Sequence, residues 1–97
     1  MLRHVNLLTW KDGTAQAAID ALSEYLSGYA AEIPEIREVS FGPDLGLADR
    51  NADFVIIVDF DDEEAFSRYL AHPAHSHLVG EFLKPILEAR HALQFQV

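Results

Sequence analysis

Tyr69, His72, Pro73 and His75 fall within the stretch RYLAHPAHSH (68–77), which carries the densest potential chemistry in the chain. A phenol beside an imidazole is a workable acid–base pair. The neutral imidazole takes a proton near neutral pH, and the phenol stabilises a developing enolate oxygen. Tyr69 belongs to the inner face of a helix that Pro73 interrupts, and the interruption brings His75 toward it. The plainer alternative gives both residues to the fold, with Tyr69 in the core and His75 bonded to backbone at a helix start. His72, His75 and His77 also have HxxH and HxH spacings. On a helix, however, His77 diverges from His75 by about 200°. With no cysteine in the chain, no thiolate completes such a site, so no metal site is expected.

His4 is the second candidate. In an extended strand His4, Asn6 and Leu8 share one face, opposite Val5 and Leu7. Val5 and Leu7 suit a helix-covered side, which predicts that His4 and Asn6 point the other way, into a dimer interior. In the C-terminal stretch RHALQFQV, Arg90 and Gln94 share a face opposite His91, Leu93 and Phe95. An interior lined by His4, Asn6, Leu8, Arg90 and Gln94, together with Phe54, Ile56, Val58 and His72, is an apolar pocket with a few polar groups. That is the usual make-up of a small-molecule site. The same polar residues would equally form an inter-subunit network that fixes a dimer.

The remaining features point to structure. Asp59, Asp61, Asp62, Glu63 and Glu64 read as a solvated helix start, because carboxylates suit the unsatisfied N–H groups of a first turn. Asp61 and Glu64 have capping-box spacing. Trp10 reads as core or pocket rim. No glycine-rich phosphate loop, nucleophile elbow or dinucleotide fingerprint is present, so no cofactor is expected.

The elements that must position these residues fit one domain, 1–97. A 97-residue chain buries about 65 % of its extended surface, enough for one modest core. Its formal net charge of −9, with seven scattered cations, opposes a phosphate backbone. Nucleic acid is therefore not an expected partner. No apolar run approaches the roughly 18 residues of a membrane span, and the first residues lack the pattern of a secretory signal. The expected location is the cytoplasm.

Leu2–Trp10 reads as a strand ended by Lys11-Asp12-Gly13. A helix capped by Thr14 follows, with Ile19, Leu22, Tyr25 or Leu26, Tyr29 and Ile33 as its stripe, and Pro34 ends it. Ile36–Phe41 is a short strand, residues 44–51 a loop, and Asp53–Phe60 the strongest strand. Asp61 caps a helix whose inner face is Ala65, Phe66, Tyr69 and Leu70. A second short helix runs from about Ala74 to Lys84, Pro85 breaks it, and Arg90–Val97 alternates as the last strand. The order β-α-β-β-α-β predicts an α+β, ferredoxin-like fold with a four-stranded antiparallel sheet. In the third strand Phe54, Ile56, Val58 and Phe60 point one way and Val55 and Ile57 the other. Helices cover only one of these apolar faces, so a homodimer joined through sheet faces is expected.

The opening HVNLL, the IPEIREVSFG segment, the strand end DFDDEEAF and the RYLAHPAH stretch resemble the stress-responsive A/B barrel (Dabb) family of dimeric α+β barrel proteins. The resemblance spans nearly the whole chain, and Tyr69-x-x-His72-Pro73-x-His75 is its most diagnostic part. It implies a homodimer whose sheets face each other across a barrel-like interior. Plant stress-stable proteins and the polyketide-cyclising olivetolic acid cyclase share the pattern, and in that cyclase the tyrosine and histidine of this motif are the acid–base pair. Phe54 and Asn6 depart from the cyclase pattern, which implies a different substrate. The function expected is binding of a small hydrophobic or aromatic molecule, with a cofactor-free cyclase-like or isomerase-like activity using Tyr69 and His75. The alternatives are a non-enzymatic stress-response structural protein and a cofactor-free monooxygenase-like protein.

Overall fold

The alternation of side chains in Leu2–Trp10 (β1), Ile36–Pro43 (β2), Phe54–Phe60 (β3) and Leu87–Gln96 (β4) is resolved into one sheet. A computed structural model describes residues 1–97, and its strands run in the order β2-β3-β1-β4, every neighbour antiparallel. The helices are Gln16–Ser27 (α1), Tyr29–Glu32 (α2), Glu63–Ala71 (α3) and Pro73–His77 (α4). A π-helical turn, Leu78–Leu83, continues α4. The ferredoxin-like order read from the sequence is the observed one. No helix is long and apolar enough to cross a membrane.

Several boundaries differ from expectation for local reasons. The first helix does not run unbroken to Ile33, because Gly28, with its weak helix propensity, divides it into α1 and α2. Thr14 does not cap it; its hydroxyl donates to the Lys11 carbonyl instead. The cap of α3 is Asp62, whose side chain accepts from the Ala65 N–H, while Asp61 pairs with Arg37. Asp59 is not part of a solvated helix start. It is buried in β3, where it receives both Nε and Nη2 of Arg3, at 2.8 and 2.9 Å. β4 begins three residues early, at Leu87.

Which sheet face the helices cover is the main correction. Leu2, Leu8, Phe54, Ile56, Val58 and Phe60 are buried against Leu22, Leu26, Tyr29 and Ile33. His4 and Asn6 share that face, at 3 % and 8 % exposure. They therefore point toward the helices of their own chain and not into a dimer interior. The opposite face carries Val5, Leu7, Val55, Ile57, Leu93 and Phe95, with Leu7 44 %, Leu93 56 % and Phe95 45 % exposed. Burial of His4 and Asn6 is tolerable because no buried side-chain nitrogen or oxygen is left without a hydrogen-bond partner.

Candidate functional site

Between sheet and helices lies a cavity of about 400 Å³. Its floor is His4, Asn6, Ile56 and Arg90, from β1, β3 and β4. Its roof begins with Tyr69 and Leu70 on α3 and His75 on α4. The π-helical turn and its flanks complete it with Leu78, Val79, Leu83, Lys84 and Leu87. Six residues read from the sequence thus meet here: His4, Asn6, Ile56, Tyr69, His75 and Arg90.

Tyr69 and His75 stand edge to face, ring centroids 4.8 Å apart and planes at 61°. Pro73 produces this arrangement by opening α4 as its first residue, with His72 as the extended cap between the two helices. Burial lowers the His75 pKa from its ordinary 6.5, opposed by the Leu70 carbonyl and reinforced by Arg90. The ring is therefore neutral near pH 7 and able to accept a proton. Burial raises the Tyr69 pKa, while a hydrogen bond from Tyr29 and the charge of Arg90 act against it. The phenol therefore keeps its proton. The pair comprises one free acceptor and one retained donor on a single wall.

A polar chain crosses the floor. Arg90 Nε donates to Asn6 Oδ1 at 2.9 Å, Asn6 Nδ2 lies 3.0 Å from His4 Nε2, and the Gln94 amide lies 2.9 Å from His4 Nδ1. Burial, then Arg90, then His75 lower the His4 pKa to about 4. His4 is thus a neutral structural partner below Tyr69 and packs on Phe66 at 4.9 Å.

Sequence reading missed Leu70, Leu78, Val79, Leu83, Lys84 and Leu87 as site residues. The π turn explains four of them. The Lys84 N–H donates to the Val79 carbonyl at 2.8 Å, a five-residue step. Five residues along an α-helix turn by about 140°, whereas the wider π step brings them nearer one face, and Val79 and Lys84 both line the cavity. No simple sequence period announces such a turn. The available signal was the apolar spacing of Leu78, Val79 and Leu83.

Other residues read as lining the site lie elsewhere. Leu8, Phe54 and Val58 are core, and Gln94 reaches only His4. His72 is not a wall residue; its Nδ1 accepts from the Ala74 N–H at 3.0 Å and so caps α4. His77 packs on Tyr25 and Phe82. Trp10 packs on Phe54 at 5.6 Å. The loop after β2 is organised by Asp44, which accepts from the Gly46 N–H and from Asn51 Nδ2. That loop borders a second depression of about 460 Å³ on the open sheet face, with Leu7 and Val55. It holds no acid–base pair, so the smaller cavity under the helices is the candidate site.

Fold and site together define a ferredoxin-like α+β domain with a cavity under its helices and an apolar open sheet face. The profile of the stress responsive A/B barrel domain matches residues 2–97, and the chain belongs to that family. It is similar to the stress-response A/B barrel domain-containing protein HS1 of Arabidopsis thaliana, 27 % identical over 84 residues, 84 % of this chain and 77 % of the relative. Among solved structures it is similar to a dimeric ferredoxin-like protein of unknown function from Thermobifida fusca. That match has 36 % identity and a TM-score of 0.91, covering 99 % of this chain and 90 % of the other. A hydroxynitrile lyase from Passiflora edulis shares the fold at 21 % identity and TM-score 0.86, covering 99 % and 92 %.

Proposed function

We propose that this protein is a homodimer that binds a small apolar molecule in the cavity under its helices and transfers a proton there. The observation that carries this reading is the Tyr69–His75 pair on the wall of an unfilled cavity of about 400 Å³, within the range of small-molecule sites. His75 accepts a proton from a C–H next to a carbonyl, and the C–H electron pair moves to the carbonyl oxygen as an enolate. Tyr69 donates a hydrogen bond to that oxygen. Buried Ile56, Leu78 and Leu83 give the reacting centre a largely apolar wall. Neither role draws on a metal or a cofactor. A lyase on this scaffold in Passiflora edulis supports a reacting role for its interior. The second copy covers the open sheet face, in keeping with a Thermobifida fusca relative described as dimeric.

The test is solvent-deuterium exchange at the carbon beside the carbonyl of aryl ketone and thioester probes, followed by NMR. His75→Ala should lose about 10²–10⁴-fold in exchange rate, and Tyr69→Phe should slow exchange while sparing the fold. Melting temperatures of the same variants are measured in parallel. A lower melting temperature with unchanged exchange would remove His75 from the mechanism. The competing reading is a structural stress-response protein, favoured by the Arg90–Asn6–His4–Gln94 chain that ties β1 to β4. It forecasts no exchange by the wild type.

A further inference from the structure

The cavity is cationic in a protein whose formal net charge is −9. Its lining includes Lys84 and Arg90 and no carboxylate. The three ion pairs of the fold consume Arg3, Arg37 and Arg68, leaving both cavity cations without an acidic partner. Arg90 is held in place, because its Nε is fixed on Asn6 Oδ1 while neither terminal guanidinium nitrogen has a side-chain partner. Its charge acts on His4, Tyr69 and His75 alike, so its field is felt throughout the cavity. Lys84 comes from the opposite layer, at the end of the π turn, and is an exposed residue on the cavity's rim. A sheet cation and a helix-layer cation thus face one apolar space walled by Ile56, Leu78 and Leu83.

We propose that the ligand of this cavity is a small organic acid, with its apolar body against Ile56, Leu78 and Leu83 and its carboxylate shared between Arg90 and Lys84. This rests on the reading of the cavity as a small-molecule site and adds the charge of its ligand. A carboxylate supplies what the two cations lack, and charge-assisted hydrogen bonds to it are stronger than those to a neutral amide. A preference for the acid over neutral analogues follows, since only the acid neutralises the two cations.

The experiment compares 4-phenylbutanoate with 4-phenylbutanamide, near-isosteres that differ in charge. Binding to the whole protein is measured by calorimetry at low and moderate salt, with amide NMR shifts locating each probe. The acid should bind at least about tenfold more tightly than the amide, shift Val79 and Leu83, and lose part of its advantage as salt rises. Lys84→Gln and Arg90→Gln should each lower the acid-to-amide ratio. Lys84 makes no side-chain hydrogen bond within the fold, so its variant tests the idea even if Arg90→Gln disturbs the floor. Equal binding of acid and amide in the cavity would overturn the acid preference and leave the small-molecule reading standing. Binding of neither, or only outside the cavity, would overturn both.

Discussion

Tyr29 and Tyr69, forty positions apart in the chain, meet through their hydroxyls, Tyr29 donating to Tyr69 at 2.9 Å. Tyr29 is wholly buried at the start of α2, so Gly28, by dividing the first helix, also shapes the candidate site. Since the Tyr69 oxygen accepts from Tyr29, its own proton is the one left to donate into the cavity. The Tyr29 contact thereby orients a group that the proposed chemistry uses.

Removing that donor should change the ionisation of Tyr69. Burial holds the pKa of Tyr25, Tyr29 and Tyr69 above the ordinary 10, and the Tyr29 hydrogen bond moderates the effect at Tyr69. Absorbance titration of the folded protein should therefore show no phenol ionising at its ordinary pH. Tyr29→Phe should push the Tyr69 transition higher still and cost about 1 kcal/mol of stability. A Tyr69 transition that stays put or moves down in Tyr29→Phe would show that Tyr29 does not donate to it.

The open sheet face makes a sharper forecast about assembly. Leu7 and Leu93 are exposed in the single chain, so a charge there meets no intrachain obstacle. Leu7→Glu and Leu93→Glu should each fold and run at the 10.9 kDa chain mass in light scattering, where the wild type runs at twice that. Ile56→Asp should fail differently, because Ile56 is 3 % exposed beneath the helices and a buried unpaired carboxylate has no compensation. Wild-type-sized Leu7→Glu and Leu93→Glu dimers would place the interface elsewhere.

These substitutions also mark what the sequence could and could not tell. Periodicity separated the two faces of β1 correctly, since His4, Asn6 and Leu8 do lie together opposite Val5 and Leu7. It carried no sign for which face the helices cover. The apolar pair Val5 and Leu7 looked like the helix-covered core and the polar pair His4 and Asn6 like the lining of a dimer interior. Physically the reverse is stable, because Arg90 and Gln94 satisfy the polar pair from the neighbouring strand. The partners were visible in the last strand, but pairing them needed the register that puts Gln94 opposite His4. Tyr69 and His75 were legible because proline at a helix start has a local consequence. Lys84 was not, because no sequence period announces the π turn, which packs on α1 through Phe82 stacked on Tyr25.

His4 should be the pH sensor of the fold, and the polarity of its network says why. Arg90 carries only protons, so Asn6 must present its oxygen to Arg90 and its nitrogen to His4 Nε2. Nε2 therefore accepts, and the neutral ring holds its proton on Nδ1. The Gln94 amide nitrogen lies 2.9 Å from Nδ1. Since Nδ1 carries the proton, the polarity of the network calls for the amide to exchange its near-isosteric nitrogen and oxygen so that the oxygen accepts. A second proton on Nε2 would face the Asn6 amide hydrogens, and Asn6 cannot turn without losing Arg90. Burial, then the charges of Arg90 and His75, lower the His4 pKa from 6.5 to about 4, and the network offers a second proton no acceptor. Because the folded value lies below the unfolded one, the unfolded chain binds more protons between them, and stability is lost as pH falls through that window. The contribution is complete above about pH 6.5 and declines toward pH 4, with a limiting slope of about 1.4 kcal/mol per pH unit for one proton. Lowering of the His75 pKa adds in the same direction. Asn6→Asp keeps the shape and gives both Arg90 and a charged His4 an acceptor. It should raise the His4 pKa and flatten this slope. Ring-proton NMR of the five histidines against pH, with denaturant titrations at each pH, checks both parts. A wild-type His4 that titrates near 6.5, or an Asn6→Asp variant with the same slope, would show that the network does not hold the ring neutral.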